Sequence, residues 1–261
     1  MKKVLFIASF LCTLLFLSSI IHADTTIISL ISGKSYSIDL NGGASETIFY
    51  SKTGYDDIQI YVNGKQVFHD NELPVTQVRV VDIQKNDKFK EIVLEYDYGS
   101  ACEFTILRYG SNKKIKKLYT TNHKYWEKPD SFDGNGNVQI LRWGGNYTLG
   151  SLFYYVTGKL SSKNFKIAKQ NNCKIQSIGA TLKNGWYTTA RKLDLYKSSS
   201  KKRKTATLKS GTKIKALAAK VSGSNYYVKV KTSDGKKGWI YFPQLKEYSS
   251  NSYYLVGGRY S

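Results

Sequence analysis

The chain has 261 residues, with 40 Lys and Arg against 19 Asp and Glu for a net charge of +21, and only three cysteines and three prolines. That length suits two modest domains rather than one. The cysteines and histidines lack the tight spacing a zinc site needs, and no run beyond residue 23 is apolar enough to cross a bilayer.

Residues 1–23, MKKVLFIASFLCTLLFLSSIIHA, read as a secretory signal: two lysines, a short apolar run, and Ile21-His22-Ala23 before the expected cut. The expected destination is outside the cell, secreted or wall-associated, with no transmembrane segment once the signal is removed. The remaining charge is uneven. Residues 24–170 carry 19 Lys and Arg against 16 Asp and Glu, while residues 171–261 carry 19 against 3. The change of character falls at QNNCKIQSIG (170–179), so the expected organisation is a β-repeat domain over 24–170 and a linker over 171–183. A small domain over 184–248 and a C-terminal tail over 249–261 complete it.

Within 24–170 a pattern recurs. DLNGGASETIFY (39–50) precedes DIQIYVNGKQVF (57–68); DIQKNDKFKEIVLEY (82–96) precedes CEFTILRYGSNKKIKKLY (102–119); DGNGNVQILRW (133–143) precedes GSLFYYVTGKLSSKNFKI (150–167). Each unit has an Asp-led polar turn and then three strand-like runs of Tyr, Ile, Val and Phe alternating with polar residues. The Asp residues lie 43 and 51 positions apart, a spacing typical of β-meander units. This half is therefore expected to be all-β, a meander repeat forming a partial propeller or open barrel.

The pattern resembles the FG-GAP and VCBS group of β repeats, in which a loop of the form D-x-[DN]-x-[DN]-G precedes an acid and a strand. Such loops can hold calcium, which needs six to eight oxygens, several from carboxylates. Here the first loop offers Asp39 and Asn41 but has Gly43 next, with Glu46 out of step. The second offers Asp82, Gln84 and Asn86 among Lys85, Lys88 and Lys90, with Glu91 one place late. The third offers Asp133, Asn135 and Asn137 and no closing acid. These are expected to be strand-connecting turns, which Asp and Asn favour for their local hydrogen bonding, and no metal or other cofactor is expected.

Residues 184–248 break into short strands at 193–196, 205–208, 213–218, 226–231 and 238–241, separated by turn signals such as Ser210-Gly211 and Ser233-Asp234-Gly235. Five strands in so short a stretch predict a small barrel. The T-L-x-x-G-T turn (207–212), the YYVKVK strand and the G-x-x-G-W-I close (235–240) resemble the bacterial SH3-like domain. Asp194 and Tyr196 stand where that family usually has Asn and Arg. The resemblance implies a binding module without catalytic residues, found on exported proteins that recognise peptidoglycan or its cross-bridge peptides. Candidate ligand-binding residues are the basic Lys201, Lys202, Arg203 and Lys204, and the aromatics Tyr196, Tyr227, Trp239 and Tyr241 near the groove. So basic a module attracts polyanions; for an exported protein these are peptidoglycan carboxylates or teichoic-acid-type wall polymers, and not nucleic acid.

No catalytic constellation emerges. His69 and His123 have no nucleophile or second ligand nearby in sequence, and Cys102 and Cys173 suggest one disulfide or two unpaired thiols. The expected function is that of an exported, non-catalytic envelope protein. Its SH3-like module would dock on the wall while the repeat domain displays or senses a ligand. The alternative is a wall hydrolase or hydrolase accessory with its chemistry on the repeat domain.

Overall fold

The computed structural model describes residues 25–99, 101–121, 126–168, 171–249 and 251–259, and among them there is no helix. Residues 1–23, expected to be a secretory signal, and His123 lie outside the described residues. A short strand β1 (Ile27–Ser29) leads into three four-stranded antiparallel meanders. The first is β2 (Ser35–Ile38), β3 (Glu46–Thr53), β4 (Asp57–Val62) and β5 (Lys65–Asp70). The second is β6 (Val75–Val81), β7 (Glu91–Asp97), β8 (Cys102–Tyr109) and β9 (Ile115–Thr120), and β1 extends it by pairing with β6. The third is β10 (Trp126–Phe132), β11 (Asn137–Asn146), β12 (Gly150–Leu160) and β13 (Phe165–Ile167), and β14 (Ile175–Ile178) also pairs with β12. The sequence repeat is thus a structural repeat: Asp39, Asp82 and Asp133 each follow the first strand of a meander directly.

Burial explains how the meanders stack. In β4 every second residue is buried, but EIVLEYD of β7 and CEFTILRY of β8 are buried almost throughout, the pattern of strands covered on both faces. Ile92, Leu94 and Leu107 share a core with Leu40, Ile48, Ile58 and Ile60 of the first meander. Val93, Phe104 and Ile106 point the other way, into a core with Val138, Ile140 and Leu152 of the third. The second meander is the middle layer.

Three arginines of the second and third meanders enter these cores paired with glutamates. Glu91 and Arg108 face each other across β7 and β8, with Arg108 Nε donating to Glu91 Oε1 at 2.8 Å. Arg79 pairs with Glu95, and Arg142 with the fully buried Glu127, which also accepts from the Tyr119 hydroxyl at 2.6 Å. Burial pushes Glu91 up to about 7 against the pull of Arg108.

The C-terminal part adds β15 (Leu182–Lys183), β16 (Trp186–Thr188), β17 (Leu193–Tyr196), β18 (Lys204–Leu208), β19 (Lys213–Ser222), β20 (Asn225–Thr232) and β21 (Lys237–Phe242). They form one seven-stranded sheet in the order β15-β16-β19-β20-β21-β17-β18. The expected five-stranded barrel does not form: all five strands are present, but two more join them and β15 and β18 remain as unpaired edges, so no barrel closes. The chain end occupies the region beside β16. Val256 N donates to Thr188 O, and Leu255 bridges Thr189.

Two segments have more structure than their composition suggested. In the expected linker, Cys173 bridges Ala219, Ile175–Ile178 pairs with β12 and Leu182–Lys183 pairs with β16. In the expected tail, Ser252 and Leu255 are buried, Tyr254 N donates to Thr148 O, and Arg259 bonds to both Ser151 and Gly179. The core that begins between the second and third meanders accordingly continues through Leu195, Val228, Val230, Ile240 and Leu255.

Candidate binding face of the C-terminal sheet

Strand alternation makes the site. In β20 (NYYVKVKT) Tyr226, Val228, Val230 and Thr232 are buried, which turns Tyr227, Lys229 and Lys231 outward. In β21 (KGWIYF) Ile240 and Phe242 face the core, so Lys237, Trp239 and Tyr241 share the outer face. The register then sets Tyr227 opposite Tyr241, Lys229 opposite Trp239, and Tyr196 opposite Trp239 on its other side. Two glycines of the G-x-x-G-W-I close are required for this. Gly235 turns at φ +87°, and a Cβ on Gly238 would lie 2.8 Å from the Tyr196 carbonyl, so only glycine lets β17 approach β21.

On this face the Tyr227 and Tyr241 rings stack, with centroids 5.0 Å apart and planes inclined by 29°. The Lys201 ammonium lies 3.7 Å from the centroid of the Tyr241 ring, a cation–π contact. Lys201 is turned back by its own loop: it sits at φ +58°, and Lys197 N donates to Arg203 O at 2.9 Å. The Tyr241 hydroxyl donates to Asn225 Oδ1 at 2.8 Å, fixing the outer ring of the stack. Beside it lies a groove of about 350 Å³ lined by Tyr196, Lys204, Tyr241, Lys192, Pro243 and Tyr254. Lys204 bonds Asp194 at 2.7 Å and, with the Thr207 hydroxyl, holds that carboxyl below its usual range.

Of the residues singled out in sequence, Tyr196, Lys201, Lys204, Tyr227 and Tyr241 gather around the groove and ring stack. Lys202 and Arg203 are exposed on the preceding loop. Trp239 is on the same face but only 9% exposed, so it is part of the packing beneath that face. Sequence reasoning missed Asn225, Lys192 and Tyr254. Tyr254 comes from the chain end, and its place depends on bonds to Thr148 and Ala190, over 60 residues away. A larger cavity of about 770 Å³ lies along the same chain end, between it, Arg191 and the Ser210-Gly211 turn.

The Asp-led loops have a different geometry. Asp39 Oδ1 accepts from Asn41 N, Gly42 N and Gly43 N, while the Glu46 carboxylate accepts from Leu40 N and the Asn41 side chain. Although its partial burial acts upward, these backbone donors and nearby Lys90 hold the Asp39 carboxyl below its usual range. Asp133 Oδ1 likewise accepts from Asn135 N and Asn137 N. The acid that looked out of step in the sequence therefore closes the first loop onto its own backbone, while its counterpart Glu91 is bonded to Arg108. The loops also bond to one another: Lys90 Nζ donates to Asp39 O, Lys85 N to Gly134 O and Gly136 N to Ile83 O.

Cys102 and Cys173 are both buried and no bond joins them: Cys102 opens β8 and Cys173 is held at the seam beside Ala219. Burial pushes the Cys102 thiol up to about 11 and raises that of Cys173. His69 Nε2 lies 2.9 Å from Asp57 Oδ1 at an exposed position. No protein-family model, curated protein or solved structure matches this chain.

Proposed function

We propose that this chain is an exported, non-catalytic envelope protein. Its SH3-like C-terminal part binds peptidoglycan or an anionic wall polymer of the teichoic-acid type, and the three-meander stack displays or senses a further ligand. The observation that carries the proposal is the Lys201–Tyr241–Tyr227 stack beside a groove, in a region with 19 basic and 3 acidic residues. Such a surface works in two stages. Unpaired lysines raise the encounter rate with a polyanion at long range, and flat rings with polar tips then hold a sugar or peptide at contact.

The non-catalytic reading is supported by the fate of the buried acids. Glu91, Glu95 and Glu127 are each committed to an arginine inside a core, where no substrate reaches them. The test is incubation of the mature protein with purified cell walls. The proposal expects protein in the pellet and no muropeptides or sugars in the supernatant. Protein that stays soluble overturns binding, and released fragments favour the hydrolase alternative.

A further inference from the structure

The outer face that carries the tyrosines at one end carries a row of lysines at the other. The register sets Lys215 of β19 opposite Lys231 of β20, and Lys231 opposite Lys237 of β21. Residues directly opposite in a sheet point to the same side, so three ammonium groups stand abreast across three strands, all exposed. Among the described residues no carboxylate forms an ion pair with any of them; the nearby Asp234 is taken by Lys236 at 2.8 Å. Lys213 extends the row along β19 into a cavity of about 520 Å³ lined by Lys183, Trp186, Thr188 and Ser233.

Like charges placed directly opposite destabilise a sheet. Lys231 bears that cost on both sides. Some charges elsewhere are paired, as in Glu91–Arg108, Glu95–Arg79 and Asp194–Lys204, but none of those pairs sets like charges abreast in register. An unneutralised row in register is what a chain of regularly spaced anions would neutralise. Strands about 4.8 Å apart set the charge spacing across the row, and alternate residues about 6.8 Å apart set it along β19.

We propose that this lysine ladder, with the Trp186 cavity at its end, is a binding track for a polyol phosphodiester polymer. The ligand chemistry follows from the residue types. The ladder is lysine throughout, a point charge suited to single phosphodiester oxygens, and holds no arginine fork for planar carboxylates. Trp239 on the same face is only 9% exposed and offers little surface on which to stack a nucleobase; the Tyr227–Tyr241 stack begins four residues along β20, about 13 Å away. Trp186 in the cavity offers one apolar face to the carbon skeleton between phosphates. This inference rests on the envelope-binding reading for the source of the polymer, but its test uses soluble polymer and not walls.

The test titrates full-length mature protein with poly(glycerol phosphate) and, at matched charge, with poly-L-glutamate and single-stranded oligo-dT. The expected order places poly(glycerol phosphate) first. A Lys215→Gln, Lys231→Gln, Lys237→Gln triple variant should flatten the slope of log affinity against log salt by about two. The single Lys231→Gln change should weaken polymer binding while raising the melting temperature by about 1–3 °C at low salt, an effect that fades as salt screens the row. Equal or tighter binding of polyglutamate or oligo-dT overturns the ligand assignment, and a triple variant that binds like the unmodified chain overturns the site. If wall binding fails while soluble polymer still needs the ladder, the envelope reading falls and the ladder stands.

Discussion

The two halves of this molecule treat charge in opposite ways. The three meanders bury it: Arg79, Arg108 and Arg142 each meet a glutamate within a core. The C-terminal sheet displays it, with Lys215, Lys231 and Lys237 aligned on an open face and Lys201 laid over a tyrosine ring. A buried pair contributes little net stability but is costly to break, whereas an exposed lysine row weakens its sheet slightly and adds much to the surrounding potential. The comparison teaches that the two regions place their charge differently, paired inside cores in one and displayed on an open face in the other.

Breaking a buried pair should give the largest effect. Arg108→Leu leaves Glu91 without its partner inside the middle layer and should cost about 3–5 kcal/mol, read from urea denaturation. Adding Glu91→Leu to that variant should recover most of the loss. A triple or quadruple lysine substitution on the C-terminal face should show no comparable cost, and a loss as large as that of Arg108→Leu would erase the contrast between the regions.

Next in size is the join between them. Leu255 is 1% exposed in the core that runs through both halves, so Leu255→Ala should destabilise by about 2–4 kcal/mol. The unfolding transition should stay single for the whole mature chain. Two separate transitions in calorimetry would mean that the halves are independent and the shared core contributes little.

The join is also where the sequence was least legible. The strands at 193–196, 205–208, 213–218, 226–231 and 238–241 were readable because Tyr, Val and Ile alternate with lysine between Gly and Ser turns. The structure keeps every one and extends all but the first by one to four residues. The three Asp-led units were equally readable, because Asp39, Asp82 and Asp133 mark the same turn in each meander. By contrast β14 reads IQSI with a single buried residue, Ile178, and β15 has two exposed residues. Such edges are fixed by their partners and carry no periodicity of their own. The candidate site divides in the same way. Tyr196, Tyr227 and Tyr241 were visible as aromatics on short strands, but the Lys215–Lys231–Lys237 alignment depends on the register of three strands, which single-strand patterns do not encode.

A smaller effect concerns pH. Glu91 titrates near 7 when folded, above its ordinary 4.5. Between those values the folded chain holds a proton that the unfolded chain has released, so stability should fall as pH rises through that window, by up to about 1.4 kcal/mol per pH unit. Glu91→Gln should flatten the decline. The carboxyls held low, Asp39, Asp133 and Asp194, act at more acidic pH and in the opposite sense. A slope unchanged by Glu91→Gln would place the titration elsewhere.

The smallest expected effect is none. The carboxylates of the Asp39 and Asp133 loops accept hydrogen bonds from their own loops, and Lys90 lies beside Asp39. Millimolar calcium added to chelated protein should therefore leave the melting temperature unchanged, because only a ligand that binds the folded state raises it. A rise of several degrees would restore these loops as ion sites.

The measurement closest to the central claim is retention on purified cell walls as a function of salt. The unmodified chain should bind in two regimes: a part that fades as salt shortens the screening length to about 8 Å at physiological ionic strength, and a part that persists. Replacing Lys201, Lys202, Arg203 and Lys204 by Ser should remove mainly the first. Replacing Tyr196, Tyr227 and Tyr241 by Ala, with the fold checked by circular dichroism, should remove the second. If moderate salt abolishes all binding by the unmodified chain, the ring stack and groove hold no ligand, and the C-terminal sheet is only a polycation.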